Sequence, residues 1–173
     1  MHCMVDLETW GTNPGAAIRS LGAVMFDETG VHETFYRNVD DESCLRVGLS
    51  KSKSTEDWWA DQSKEAQAAL LVDPQPIGDV LADFAKWWKA NNARYVWGHG
   101  ATFDPPIVEA AFDAFGLAAP WDFWNVRCSR TVLAMANRRP SRAGGTHHNA
   151  LDDAKAQAKA IIAALNYKQF SLG

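Results

Sequence analysis

Two acidic residues separated by one leucine, Asp6 and Glu8, stand in the stretch "MVDLETWG" near the start of the chain. On a β-strand, side chains at positions i and i+2 point to the same face, so both carboxylates project together while Leu7 enters the core. Carboxylate oxygens are the ligands that hard divalent cations such as Mg²⁺ and Mn²⁺ prefer. The same alternation is typical of acids that face water from a half-exposed strand, and the spacing alone does not choose between the two.

A third acid, Asp104 in "GHGATFDPP", follows a predicted buried strand and precedes a predicted helix. Open α/β sheets place ligand-binding groups at this position, beyond the carboxyl end of a strand. The alternative is a helix N-cap ahead of Pro105, because Asp is a favoured cap residue.

The segment "HHNALDDAKAQAK" offers two His–Asp pairs at the same spacing, His147 with Asp152 and His148 with Asp153. On a helix, Asp152 shares a stripe with two lysines opposite the apolar stripe, which is typical of a solvated charge. Asp153 falls on the flank of the buried face, close to the start of the helix. His148 and Asp153 are therefore the preferred candidates to join the acids at the strand ends.

The fold has to bring the first strand, a central strand and the last helix together. Short strands separated by turn-forming residues are predicted for "HCMVDL", "SLGAVMFD", "HETFYRNV" and "RYVWG". Helices are predicted for "STEDWWADQ", with Ser54 or Thr55 as its cap, and for "SKEAQAALL", the 77–88 region, "DPPIVEAAFDAFG", "CSRTVLAMAN" and "HNALDDAKAQAKAIIAAL". Residues 40–53 are predicted to form a long polar loop.

Strands at the beginning followed by a mixture of helix and strand predict an α/β fold, with a mixed sheet that contains an antiparallel hairpin. A chain of 173 residues with 47% hydrophobic residues and eight tryptophans suits a single domain, residues 1–173, with a sizeable core. Three widely spaced cysteines indicate no disulfide framework or zinc ribbon. Without a signal-peptide or membrane-spanning pattern, the expected location is the cytoplasm.

The formal net charge of −4 hides a local excess of positive charge. Residues 123–151 contain no Asp or Glu but five arginines. Arg138, Arg139 and Arg142, in or beside the loop "RRPSRAGG", are predicted to contact backbone phosphates of a nucleic acid. Arg127 and Arg130 are predicted to form surface salt bridges.

The motifs "DLET", "GHGATFD" and "HNALDDA" resemble, in this order, the three motifs of the DEDDh 3′-5′ exonuclease family. The resemblance implies a ribonuclease H-like fold, a general base at His148 and four metal-binding carboxylates, Asp6, Glu8, Asp104 and Asp153. Other stretches, "ETWGTNP" among them, resemble a small bacterial and phage branch that includes a polyadenylate-preferring exoribonuclease and phage exodeoxyribonucleases. Gly100 departs from the Asn that is common in proofreading relatives.

The activity implied by the resemblance is hydrolysis of single-stranded RNA 3′ ends to nucleoside 5′-monophosphates, with two Mg²⁺ or Mn²⁺ ions as cofactors. An exodeoxyribonuclease on the same scaffold is the main alternative. A binding module without catalysis is disfavoured because all five motif residues are present, and a zinc site at Cys128 and the histidines lacks compact spacing. Trp10 is either a base-stacking residue or a core residue. The branch resemblance also suggests a homodimer.

Overall fold

The computed structural model describes residues 1–140 and 149–168, without the side chain of Lys168. Its five strands are β1 (His2–Thr9), β2 (Ile18–Asp27), β3 (Gly30–Asn38), β4 (Tyr95–Gly98) and β5 (Val126–Cys128). They form one sheet in the order β3-β2-β1-β4-β5. The first three strands pair antiparallel, whereas β1 with β4 and β4 with β5 pair parallel. The predicted mixed sheet with an antiparallel hairpin is confirmed.

Seven α-helices flank the sheet in the described part of the chain: α1 (Asp41–Arg46), α2 (Lys53–Ala60), α3 (Lys64–Ala69), α4 (Ile77–Ala90), α5 (Asp104–Asp113), α6 (Ser129–Met135) and α7 (Ala150–Lys168). A short 3-10 turn (Phe123–Asn125) precedes β5. None of the described helices is long and apolar enough to span a membrane.

Two local sequence predictions were wrong in detail. The predicted polar loop contains the helix α1, whose N-cap Asp40 accepts hydrogen bonds from the backbone N–H groups of Glu42 and Ser43. Helix α2 is capped by Ser52, which accepts from the N–H of Thr55, and the predicted caps Ser54 and Thr55 lie inside the helix. Helix α2 therefore begins before the position that the predicted caps indicated, and α1 was not predicted as a helix.

The alternation along β1 separates two hydrophobic cores. Val5 and Leu7 belong to the larger core, under α4 and α5, while Met4 belongs to the smaller core against α7. Asp6 and Glu8 share the side of Met4, because side chains two residues apart lie on one face of a strand. The two acids therefore share one face, as the alternation predicted, and α7 packs on that face.

Candidate active site

Three carboxylates meet where β1 ends and α7 begins. Asp6, Glu8 and Asp153 each offer a ligand atom, and these atoms lie within 4.8 Å of one another. Asp153 is in the first turn of α7, and its neighbour Asp152 is not part of this group. The helical stripes favoured Asp153 over Asp152, and the packing of α7 on the sheet agrees with that choice.

Asp104 lies beside this group and ties two strands together. Its side chain is 3% exposed, and its Oδ1 accepts a hydrogen bond from the backbone N–H of Leu7 at 3.2 Å. The N–H of His99, directly after β4, also donates to this carboxylate. Asp104 is the first residue of α5 and Phe103 is the cap residue, so the N-cap alternative is wrong.

Burial raises the pKa values of Asp6, Glu8 and Asp104, and repulsion by neighbouring acids adds to the rise for Asp6 and Glu8. The pKa of Glu8 rises from 4.5 to about 8, chiefly through burial and then through Asp153. The pKa of Asp104 rises from 3.8 to about 7 because it is buried. Burial, and after it the charge of Asp104, raises the pKa of Asp6 well above its usual range.

The donor set fits a hard divalent cation. Like charges at this separation are costly in a buried site unless a positive charge neutralises them. All the ligand atoms are carboxylate oxygens, which suit Mg²⁺ or Mn²⁺ and not the softer metals that cysteine and histidine select. Asp6, Glu8 and Asp153 are accordingly the residues that would hold a metal ion.

Gln157 is a site residue that was not predicted from the sequence. Its Nε2 donates a hydrogen bond of 2.6 Å to Oδ1 of Asp6, and its side chain is buried. Gln157 follows Asp153 by four residues, so the two lie on the same face of α7. That spacing was the available signal, and it shows that α7 supplies both a ligand and a residue that orients another ligand.

Gly22 on β2 determines how closely α7 approaches the acids. It pairs with Asp6 across the sheet, and a Cβ at this position would lie 2.3 Å from the carbonyl carbon of Ala150. Such a distance leaves no room for any side chain, so only glycine lets the start of α7 lie on the sheet here. An isolated glycine inside a strand was the sequence signal for this close backbone approach.

Trp10 is packed into a cluster of aromatic and basic side chains beyond the end of β1. The guanidinium carbon of the buried Arg19 lies 4.0 Å from the ring centre of Trp10 and 4.3 Å from that of Trp59. The ammonium of Lys51 lies 4.4 Å from the Trp10 ring. Through these contacts Trp10 packs against its neighbours. Its stacking on a base stays a prediction. The charge of Arg19 also opposes the rise in the pKa of Glu8.

A cleft of about 980 Å³ opens over the acids and is bordered by arginines. Arg138 and Arg139, two of the predicted phosphate contacts, line it. Arg130 lines it as well, and its charge acts on Asp104. Surface salt bridges were predicted for Arg130, but none of the ion pairs among the described residues includes it. The residue belongs to the wall of the cleft.

Two other predicted site residues, His148 and Arg142, lie outside the described residues, as does His147. Their roles stay predictions. The cleft contains a different histidine, His99, whose Nδ1 lies 2.9 Å from Oγ of Ser129. Because that hydroxyl donates its hydrogen to the carbonyl of Gly98 at 3.1 Å, it accepts from the Nδ1–H of His99.

The mixed sheet with flanking helices is a ribonuclease H-like α/β fold, and solved nuclease structures share it. A structure of Exonuclease X in complex with 5′ overhanging duplex DNA superimposes with a TM-score of 0.62 at 16% identity, covering 99% of this chain and 95% of that one. A full-length 3′-exonuclease superimposes with a TM-score of 0.56 at 15% identity, covering 99% and 83%. Fold and acid cluster together define the class, a ribonuclease H-like α/β protein with a group of carboxylates at the strand ends.

The family is defined by the sequence comparisons. The model of the Rv2179c-like 3′-5′ exoribonuclease domain matches residues 1–165, and the chain belongs to this family of 3′-5′ exonucleases. The chain is also 30% identical to the exodeoxyribonuclease of Enterobacteria phage T4, over 75% of this chain and 69% of that protein.

Proposed function

We propose that this protein is a metal-dependent 3′-5′ exoribonuclease of the DEDDh type, which releases nucleoside 5′-monophosphates from single-stranded RNA. The observation that carries the proposal is the group of Asp6, Glu8 and Asp153, with ligand atoms within 4.8 Å of one another under a cleft bordered by arginines. The name of the matching family supports RNA as the substrate.

Each residue has a role that follows from its chemistry. The three clustered acids and Asp104 would hold Mg²⁺ or Mn²⁺, and two such ions would supply activation of water and stabilisation of the leaving oxygen. Gln157 orients Asp6 through its hydrogen bond of 2.6 Å. His148, as the proposed general base, takes the proton from the attacking water, since a histidine is neutral in part near pH 7. Arg138, Arg139 and Arg142 hold phosphates of the strand.

Two adjacent acids on α7 provide a matched test of the site. Asp153→Asn and Asp6→Ala are expected to lower cation-dependent release of mononucleotides from RNA by about 10²–10³-fold or more, because each removes a charge that holds the cation. Asp152→Asn, one residue away and outside the acid group, is expected to stay close to wild-type activity. Full activity of Asp6→Ala, or activity that persists in EDTA, would contradict the proposal.

An exodeoxyribonuclease is the second candidate, because the T4 relative carries that name. Digestion of matched RNA and DNA oligonucleotides, labelled at the 3′ or the 5′ end, measures both polarity and sugar preference. RNA is expected to be degraded faster, with mononucleotides appearing first from the 3′ label. A higher rate on DNA would replace RNA as the proposed substrate and leave the proposed acid site unchanged.

Loss of activity in His148→Ala, with metal binding retained, would support His148 as the base.

The suggested homodimer is also part of the proposal. Trp58 on α2 is 44% exposed and offers apolar surface for such a contact, whereas its neighbour Trp59 is buried. Sedimentation of the protein at micromolar concentration gives its assembly directly, and a monomer there would remove this part of the proposal.

A further inference from the structure

Two adjacent aromatic side chains are exposed at a distance from the cleft. Phe123 is 80% exposed and Trp124 is 61% exposed, in the 3-10 turn before β5. Trp121, two residues before the pair, and Asn125, directly after it, are buried. Exposed aromatic pairs are unfavourable in water, so a pair held in this way indicates a surface that contacts another molecule.

The turn that carries this pair is fixed by its own hydrogen bonds. The N–H of Asn125 donates to the carbonyl of Asp122 at 2.8 Å, and Nη1 of Arg127 donates to the carbonyl of Trp124 at 2.7 Å. The two rings meet edge to face with centres 4.7 Å apart. The rings are therefore presented in a defined arrangement, which lowers the entropy that a partner would have to remove.

Two guanidinium groups meet at one tyrosine ring, and one of them, Arg127, also bonds to the turn that carries the aromatic pair. Arg127 and Arg94 both stack on the ring of Tyr95, at 4.6 Å and 5.2 Å from its centre. Neither arginine takes part in an ion pair among the residues that the structure describes. The acids of this region are Asp122, next to Phe123, and Asp27 and Glu28, which act on His2 beside Tyr95. The positive groups are the two arginines and the N-terminal ammonium. We call the surface formed by Arg94, Tyr95, Phe123, Trp124 and Arg127 the aromatic-basic platform.

The platform and the acid site lie at opposite ends of the same two strands. Arg94 and Trp124 precede β4 and β5, whereas His99 and Ser129 follow them at the cleft. Arg127 pairs with Trp97, whose side chain belongs to the core under α7, so the platform is on the α7 side, like the cleft. Four residues of β4 span about 13 Å at roughly 3.3 Å per residue, the length of about four stacked nucleotides at roughly 3.4 Å each.

We propose that the aromatic-basic platform is a second nucleic-acid site, which binds the single strand several nucleotides upstream of the 3′ end held at the acids. Bases stack on Phe123 and Trp124, and backbone phosphates lie against Arg94 and Arg127. Aromatic stacking with flanking positive charge is the chemistry by which proteins bind single strands without reading their sequence. This proposal rests on the proposed exonuclease function, because it assigns the platform to the same substrate strand.

A second copy of the chain is the other occupant that an aromatic pair suggests. In a symmetric dimer the same patch faces itself, so the arginines of both copies would approach one another. Like charges brought together across an interface are unfavourable, whereas a polyanion neutralises them. The two arginines of the platform therefore favour a nucleic acid over a copy of the chain.

The test compares short and long RNA substrates. For wild type, a 20-nucleotide RNA is expected to have a lower KM than a trinucleotide, which is too short to reach the platform. The double variant with Phe123→Ser and Trp124→Ser is expected to raise the KM of the long RNA about tenfold or more, because it removes two stacking contacts. Its kcat on both substrates and its KM for the trinucleotide are expected to stay at the wild-type values. Leu71→Ser, at another exposed apolar residue, is the matched control.

A single-residue variant tests the charged part of the platform separately. Arg94 is exposed. In Arg94→Ala, the slope of log K against log salt for binding of the long RNA is expected to become less steep by about 0.7, because one phosphate contact is lost. This binding is measured in EDTA, where the strand is not cleaved.

The outcomes separate the two proposals. An unchanged KM of the long RNA in the double variant, with normal hydrolysis of the trinucleotide, would overturn the platform and leave the exonuclease proposal standing. If wild type hydrolyses neither RNA in the presence of Mg²⁺ or Mn²⁺, the exoribonuclease proposal fails. A change of sedimentation in the double variant without a change of KM would assign the platform to a second copy and overturn its role as a nucleic-acid site.

Discussion

The two faces of the sheet are packed in different ways. On the α4 and α5 side the core contains large aromatic side chains, with Phe84 fully buried among Phe35, Trp88 and Trp121. On the other side α7 contacts the sheet largely through alanines and through Gly22. Large side chains bury apolar area and hold a helix away from the sheet, whereas small ones let the backbones approach.

This difference separates stability from the geometry of the site. The aromatic face supplies much of the buried apolar area and carries none of the clustered acids. The alanine face buries less area per residue, but the short distance between α7 and β1 places Asp153 and Gln157 beside Asp6. Substitutions on the first face should therefore change stability, and substitutions on the second should change activity.

The largest effect is expected on the aromatic face. Phe84→Ala should lower the free energy of unfolding by about 3–5 kcal/mol, because it removes a fully buried ring and leaves a cavity. Urea denaturation monitored by tryptophan fluorescence measures the loss. The kcat of the folded fraction should stay near wild type, and a large fall in kcat would show that the two faces are not separable in this way.

On the α7 face, Gly22→Ala should lower activity by about 10²-fold, because the new Cβ displaces the start of α7 and with it Asp153. Gly78→Ala on α4 is the matched control. There the Cβ would meet only the tip of the Phe115 ring, at 3.3 Å, and the change should leave activity unchanged. Equal activities of the two variants would mean that Gly22 does not position α7. Initial rates at saturating Mg²⁺ make the comparison.

The acid group should make the metal-free protein sensitive to pH. The pKa of Glu8 is raised from 4.5 to about 8 and that of Asp104 from 3.8 to about 7 in the folded chain. The folded state therefore binds more protons than the unfolded state between these values, so in EDTA the Tm should fall as the pH rises from about 5 to about 8.

A divalent cation should offset this loss, by about 2.7 kcal/mol at 100 times its Kd. Thermal unfolding at both pH values, with EDTA or with Mg²⁺, checks the two statements together. A Tm in EDTA that rises toward pH 8 would contradict the arrangement of buried acids, and Asp6→Asn should weaken both the pH dependence and the effect of Mg²⁺.

The smallest effect is expected at the residue that orients Asp6. Gln157→Met keeps the size of the side chain and removes the donor to Asp6, so the Mg²⁺ concentration that gives half-maximal activity should rise about tenfold. Lys159→Met, exposed on the same helix, is the control. Metal titrations of activity measure the change. An unchanged metal titration for Gln157→Met would mean that α7 contributes to metal binding through Asp153 and not through Gln157.

Much of the fold and part of the site could be read from local patterns. The hairpin, the helix over residues 77–90 and the face shared by Asp6 and Glu8 follow from periodicity, which operates over a few residues. The stripes of the last helix also separated Asp153 from Asp152. Two short elements were not predicted. Strand β5 has only three residues and is a strand because it pairs with β4, and α1 is too short to show a helical period.

The sequence by itself determined which residue types are available and in which order, namely an acid pair on the first strand, an acid after β4 and an acid on the last helix. Only the tertiary structure decided the contacts between distant segments. Asp104 accepts from Leu7, Gln157 donates to Asp6, and Gly22 admits the start of α7. These contacts depend on how elements far apart in the chain pack, and no local period encodes the distance between a helix and a sheet.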